Sequence, residues 1–236
     1  MVVLAKAALP GRVKTRLTRG PRGLTTGQTL RVYRAAVAAT LARTAGHAGA
    51  GPGRRVLALD DPTATPPEAR AYGWHVVNQG SGTLGERIAR AWDHAVTHAG
   101  PGPVAVFGTD CPDVPATSLA AIGPALTRGD AAIGSVADGG YWTLAAHHRP
   151  DALLTGIDWG TARVYDQTRR AADAAGLRLI DLPAGHDLDH PADLADLRRR
   201  LDTPPPADDP ALAELAAALA SVPDRAGGGP APPRPS

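Results

Sequence analysis

Two carboxylates stand directly behind the most apolar run of the chain. Asp110 and Asp113, in Thr109-Asp110-Cys111-Pro112-Asp113, follow Pro103-Val104-Ala105-Val106-Phe107-Gly108. Carboxylates at the carboxyl end of a buried strand, in a turn stiffened by proline, offer hard oxygen ligands to Mg²⁺ or Mn²⁺. The competing reading is an Asx-turn in which Asp110 caps its own loop. Cys111 has no base paired with it in the sequence and reads as a small buried hydrophobe. A second acidic segment, Gly185-His186-Asp187-Leu188-Asp189-His190-Pro191, supplies Asp187 and Asp189. Either is a candidate second metal ligand, and Asp189 is equally a candidate N-cap of a helix starting at Pro191. A zinc site that adds His186 and His190 lacks a third nitrogen or sulfur ligand.

The cations that would complement these carboxylates open the chain. Val2-Val3-Leu4-Ala5 breaks at Lys6 into a loop carrying Pro10, Gly11, Arg12, Lys14 and Arg16. A β-branched run that ends in a basic Pro-Gly turn fits a strand feeding a phosphate-gripping loop. Glycine lets backbone amides approach, and Lys and Arg supply fixed positive charge. A solvated basic turn is the alternative. Gly80-Ser81-Gly82-Thr83 with Glu86 and Arg87 reads as a helix start, where amides and dipole suit an anion or the polar edge of a nucleotide. A capping box of Thr83 and Glu86 explains the same residues and is compatible with that role. In Asp138-Gly139-Gly140-Tyr141-Trp142 a glycine hairpin carries a carboxylate and two aromatics. Tyr141 could wall an acceptor pocket together with Trp159, or the aromatics could simply fill core.

Alternating elements must position these groups. Strands are expected at 2–5, 55–59, 73–77, 103–108, 131–136, 141–146 and 177–182. Helices are expected from Thr25 or Thr26 to about Ala45, and at 83–99, 118–128, 161–175 and 191–201. The alternation predicts an α/β fold with an open, mostly parallel sheet and helices on both faces. Ligands of such sheets bind outside the carboxyl ends of the strands, where the polar clusters above fall. Residues 1–202 read as one domain. The Pro/Ala/Gly-rich tail 203–236 reads as largely disordered, with one alanine-rich helix over 211–221.

Composition narrows the function classes. With 43% hydrophobic residues the chain can bury a sizeable core, and with four Trp, four Tyr and one Phe that core is mostly aliphatic. A formal net charge of +2 argues against a nucleic-acid partner, so any basic site is local. One cysteine excludes an internal disulfide and a thiolate-rich metal site, which points to a reducing cytoplasm. Neither a membrane-length apolar run nor a signal-peptide pattern is expected.

In order and spacing, the motifs resemble the nucleotide-diphospho-sugar transferase (GT-A) fold. More closely they resemble the bacterial domain-of-unknown-function family 2064, often labelled glycosyltransferases. The matching stretches are Ala5-Lys6-Ala7 with Pro10-Gly11-Arg12-Val13-Lys14-Thr15-Arg16-Leu17, Leu84-Gly85-Glu86-Arg87, Gly108–Asp113, Asp138-Gly139-Gly140-Tyr141 and Asp187-Leu188-Asp189. The resemblance implies Asp110 and Asp189 as ligands of Mg²⁺ (or Mn²⁺) and Lys14 and Arg16 on phosphates. It extends the nucleotide site to Lys6, Pro10, Gly11, Arg12 and Asp110. Ser81-Gly82-Thr83 and Arg87 resemble the nucleotide-contacting turn of sugar-acid cytidylyltransferases. The chain departs from the commoner nucleotidyltransferase signature in lacking a Gly-Gly-x-Gly run after the first strand.

Two reactions are compatible with that site. A nucleotidylyltransferase would join an NTP to a phosphorylated or acidic small molecule and release pyrophosphate, with Lys14 and Arg16 stabilising the leaving group. A glycosyltransferase would use an NDP-sugar, with Asp138 as base and Asp138, Gly139, Gly140, Tyr141 and Trp159 facing the acceptor. The number of cations after the first strand favours the first. A nucleotide-binding module without turnover is the third reading.

Overall fold

The computed structural model describes residues 1–20, 23–47, 51–202 and 209–222. Seven strands form one sheet: β1 (Val2–Ala5), β2 (Val56–Leu59), β3 (His75–Asn78), β4 (Val104–Phe107), β5 (Ala131–Val136), β6 (Tyr141–Ala146) and β7 (Leu179–Gly185), in the order β3-β2-β1-β4-β6-β5-β7. All pairings are parallel except those of β6, which runs antiparallel to β4 and β5. The chain winds outward from β1 to β3 and then returns to the other side of β1 to lay down β4. That reversal creates a switch point between β1 and β4, where parallel sheets open a crevice for ligands. The β1–β4 register covers only Val2↔Val106 and Val3↔Phe107.

Helices cover both faces. On one side, α1 (Thr26–Ala45) buries Tyr33, Val37 and Leu41 against Val3, Leu57 and Phe107. On the other, α3 (Leu84–Ala99) buries Ile88, Ala91 and Trp92 against Val2, Ala58 and Val106. The remaining helices are α2 (Pro67–Ala71), α4 (Ala116–Ala120), α5 (Ile122–Arg128), α6 (Val164–Ala174), α7 (Pro191–Asp202) and α8 (Pro210–Ala220). Capping boxes start both long helices, Thr25 with Gln28 and Thr83 with Glu86, so each N-terminus falls where the sequence placed it.

Three local differences from expectation have physical causes. The single helix expected over 118–128 is two, because Pro124 lacks an N–H and its ring crowds the carbonyl four residues back, at Ala120. The last strand continues past Leu182 through Pro183 because β7 is an edge strand, where a missing donor costs no ladder bond. The short α2 was not expected at all. The alanine-rich helix forms as α8, and its Leu212, Leu215 and Leu219 pack with Leu17, Leu188, Leu194 and Leu197 in a third cluster outside the sheet. The rest of the 203–236 tail, residues 203–208 and 223–236, lies outside the described residues.

That third cluster holds the first loop in place. Leu17 is fully buried in it, while Val13 is buried in the α1-side core, so the segment carrying Lys14 is pinned at both ends. Leu17→Ala should therefore cost about 2–5 kcal/mol. Urea unfolding would show it as a lower midpoint with an unchanged slope.

Candidate functional site

Three loops meet at the carboxyl edge of the sheet: those after β1, β4 and β7. The Asp110 carbonyl accepts a hydrogen bond from the Leu188 N–H (2.9 Å), which ties the β4 loop to the β7 loop. Tyr33, from α1, ties that helix to the first loop. Its hydroxyl donates to the Lys6 carbonyl and accepts from the Lys6 N–H, both at 2.9 Å. Burial pushes that phenol up to about 12.

At the centre lies Lys14. Its ammonium donates to Asp110 Oδ1 and to Asp189 Oδ1 (2.7 Å), with 5% of the side chain exposed. Arg16 Nη1 reaches the other Asp189 oxygen at 3.2 Å. Burial disfavours the Lys14 charge, but the Asp110 and Asp189 carboxylates outweigh it and hold the ammonium above the ordinary lysine range. Asp189 mirrors this: burial would raise it, yet Lys14 and then Arg16 hold its carboxyl below the usual range. Lys14 has φ 45° and ψ 40°, and it is the one non-glycine with positive φ among the described residues. Strained backbone of this kind persists only where the surroundings hold it, here through Val13 and Leu17.

Asp138, Asp187 and Asp189 form the second half of the rim, each offering an oxygen within 4.8 Å of the others. Asp187 is 8% exposed, and its carboxyl is pushed up by burial and by the neighbouring Asp138 and Asp193 charges. The β5–β6 turn delivers Asp138. Gly140 N–H donates to Asp138 Oδ1 (2.9 Å), and at Gly139 (φ +85°) a Cβ would meet the Ala162 carbonyl oxygen at 2.0 Å. Beneath the rim, Trp142 fills space left by Gly134 and Gly185, where a Cβ would lie 2.1 Å and 2.8 Å from the indole.

Asp193 resolves the two readings of Asp189. From the first turn of α7 the Asp193 carboxylate reaches back to accept from the backbone N–H groups of Asp189 (2.9 Å) and His190 (2.7 Å), which fixes the segment leading into the helix. The Asp189 side chain is thereby left to Lys14 and Arg16. Asp113 instead bonds Arg200 of α7 (2.6 Å) and is not part of the rim. Cys111 is buried, and burial raises its thiol first, then the surrounding aspartates. The acidic cluster contains neither His186 nor His190, both exposed.

The other candidates are distributed around this centre. Lys6, Pro10, Gly11 and Arg12 lie exposed along the first loop, with Arg12 3.6 Å from Asp60. Thr83 and Glu86 form the capping box, Arg87 Nε donates to the Gly82 carbonyl (3.1 Å), and Arg90 donates to the Ser81 carbonyl (2.9 Å). Tyr141 packs edge-on to Trp159 with ring centroids 6.2 Å apart, and its buried hydroxyl has no hydrogen-bond partner. Trp159 in turn covers Gly85 in the first turn of α3, where a Cβ would come within 2.9 Å of its indole nitrogen. In the sequence Asp138 is a candidate base and Asp187 one of two candidate second metal ligands. The structure groups both with Asp189, and the signal was the Asp-x-Asp alternation facing a glycine hairpin across β5 and β7.

A mostly parallel sheet of this order, with cations and carboxylates gathered at its switch point, defines the class of nucleotide-dependent transferases. Residues 41–161 match the model of the family described as "Uncharacterized protein conserved in bacteria (DUF2064)", and the chain belongs to that family. It is similar, at 26% identity and a TM-score of 0.76, to the crystal structure of a candidate nucleotide-diphospho-sugar transferase from Desulfovibrio desulfuricans G20. That match covers 93% of this chain and 96% of the other. The fold is shared with a cytidylyltransferase from Leptospira borgpetersenii serovar Hardjo-bovis (13% identity, TM-score 0.53, covering 93% and 94%). It is shared also with CMP:2-keto-3-deoxy-manno-octonic acid synthetase complexed with CTP (12% identity, TM-score 0.52, covering 85% and 97%). No curated protein matches the chain in sequence. Among the described residues no helix is long and apolar enough to cross a membrane.

The electrostatics give a prediction with two signs. Asp189 contributes stability that is present above about pH 3.9 and lost as pH falls through its depressed folded value. Asp187, being raised, carries a penalty that is complete above its folded value and gone below about pH 3.9. In chelator-treated protein at pH 7, Asp189→Asn should destabilise by up to about 3 kcal/mol while Asp187→Asn stabilises. Denaturant titration of both variants at pH 7 and pH 4 checks this, and the Asp187→Asn gain should shrink sharply at the lower pH.

Proposed function

We propose that the chain is a Mg²⁺-dependent nucleotidylyltransferase that joins an NTP to a phosphorylated or acidic small molecule and releases pyrophosphate. The observation that carries this reading is the pairing of Lys14 and Arg16 with Asp110 and Asp189 at the switch point. Four carboxylates, Asp110, Asp138, Asp187 and Asp189, there face two cations, a surplus of negative charge that a divalent ion would neutralise. The donor set is all oxygen, which suits Mg²⁺ or Mn²⁺ rather than zinc. When bound, the ion would offset charge on the α-phosphate and the leaving pyrophosphate.

The chain's own groups do the rest. Asp110 and Asp189 would hold the ion, with Asp138 and Asp187 as further oxygen donors. Lys14 and Arg16 take up the charge of the departing pyrophosphate, and Lys6, Pro10, Gly11 and Arg12 line its path. Ser81, Gly82, Thr83 and Arg87 lie at the head of α3, suited to the nucleoside's polar edge. Tyr141 and Trp159, with Gly139 and Gly140, border the acceptor side. The acceptor's phosphate or carboxylate oxygen attacks the α-phosphorus as the bond to the β-phosphate oxygen breaks. Such a nucleophile is already ionised, so no general base is required. The named activities of two fold neighbours, a cytidylyltransferase and a CMP-sugar-acid synthetase bound to CTP, support the same reaction class.

The second reading, glycosyl transfer from an NDP-sugar, is favoured by the Desulfovibrio structure, a candidate nucleotide-diphospho-sugar transferase matched over nearly both chains. Product analysis separates the two. Incubation with NTPs, Mg²⁺ and a panel of sugar acids and sugar phosphates should release pyrophosphate, and Asp110→Ala or Lys14→Ala should lower that rate about 10²-fold or more. Consumption of an NDP-sugar with release of the nucleoside diphosphate and no pyrophosphate would transfer the assignment to the second reading.

A further inference from the structure

A lysine ammonium and a divalent ion cannot share the same carboxylate oxygens. We propose that Lys14 is the resident counter-cation of the acidic rim, exchanged for the divalent ion as metal binds and thereby released to the substrate's phosphates. The inference rests on the reading above that Asp110 and Asp189 are metal ligands.

Geometry comes first. Lys14 Nζ bonds one oxygen of Asp110 and one of Asp189, so it sits where a cation bridging the two would sit. Magnesium binds carboxylate oxygens at about 2.0–2.1 Å. An ammonium held 2.7 Å from the same Asp189 oxygen would then lie in direct repulsion with the ion. Burial separates Lys14 from its neighbour: its side chain is 5% exposed, against 52% for Arg16, which reaches only the outer oxygen of Asp189. Lys14 is thus inside the carboxylate pair and Arg16 at its mouth.

Residue type points the same way. The chain contains two lysines, Lys6 and Lys14, against 23 arginines. A guanidinium is a planar fork suited to two oxygens of one group, whereas an ammonium is a compact point charge on a flexible stem. Only the latter mimics a metal ion between two carboxylates and can then swing away without moving its backbone. Backbone anchoring supports this, since Val13 and Leu17 hold the left-handed Lys14 conformation from both sides and leave only the side chain to move. Metal and nucleotide binding would consequently favour each other. Phosphates that attract Lys14 free the carboxylates, and by linkage metal that expels Lys14 strengthens phosphate binding.

Amine acylation of the intact wild-type protein, read by peptide mass spectrometry, tests the exchange without any nucleotide. Exposed Lys6 is the internal control. Without metal, Lys14 should react far more slowly than Lys6. Saturating Mn²⁺ should raise the Lys14 rate about tenfold or more, the loss of a buried ion pair, and leave Lys6 unchanged. In parallel, Mn²⁺ titration followed by electron paramagnetic resonance should find Lys14→Met binding the ion about tenfold more tightly than wild type. If Lys14→Met fails to fold, wild-type labelling decides alone. Unaltered Lys14 protection under Mn²⁺ that is demonstrably bound, and lost in Asp110→Asn, overturns the exchange while the metal reading stands. Mn²⁺ binding that is indifferent to both Asp110→Asn and Asp189→Asn overturns the metal reading itself, and the exchange with it.

Discussion

A single buried ammonium joins segments 96 and 175 residues away along the chain. Lys14 follows β1, Asp110 follows β4 and Asp189 follows β7, and all three converge at one hydrogen-bonded centre. Taking a lysine charge out of water is costly unless its partners are well placed. The surrounding structure meets that demand through backbone and core. Val13 and Leu17 anchor the first loop in two separate apolar clusters, the Leu188 N–H bonds the Asp110 carbonyl, and Asp193 holds the Asp189 and His190 N–H groups so that the Asp189 side chain faces Lys14. Each contact is ordinary in isolation. Their joint effect is to set opposite charges within reach at the place where a parallel sheet opens.

The rim's charge balance has a functional logic. Two cations cannot neutralise four carboxylates, and Asp187, buried with Asp138 and Asp193 as neighbours, bears the surplus as a raised carboxyl. A group held in that condition costs stability in the free protein and gains from a bound cation. Stability given up at a rim where three loops meet is what a binding site of this kind requires. Asp189, beside Lys14 and Arg16, and Asp187, beside Asp138 and Asp193, therefore respond to pH in opposite directions.

Much of this was legible in the residues. The apolar run before Asp110, the β-branched opening before Lys6 and the Thr83–Glu86 box each carry a local signal, and all fall where expected. Legibility ended where tertiary context decides. Asp113 carries the same charge as Asp110 and lies three residues away, yet Arg200 on α7 claims it; only the fold brings those two together. Whether Asp189 capped a helix was decided by its partners in space: its carboxylate bonds Lys14 and Arg16, while Asp193 accepts from the Asp189 and His190 N–H groups. Asp138 joins the cluster because β6 runs antiparallel between β4 and β5, which turns its hairpin toward the β7 loop. No periodicity in the sequence announces a strand's partner. Pro183 similarly reads as a strand terminator until its edge position is known.

The central claim is that one edge of the sheet, at the reversal between β1 and β4, holds both the divalent ion and the nucleotide phosphates. Anomalous diffraction from crystals grown with Mn²⁺ and an unreactive CTP analogue examines it directly. The account predicts an ion peak bonded to Asp189 and a neighbouring rim carboxylate, with triphosphate oxygens in hydrogen-bond reach of Lys14 and Arg16. An ion or triphosphate seated instead at the opposite end of the strands, beside Trp92 and Arg149, would contradict it.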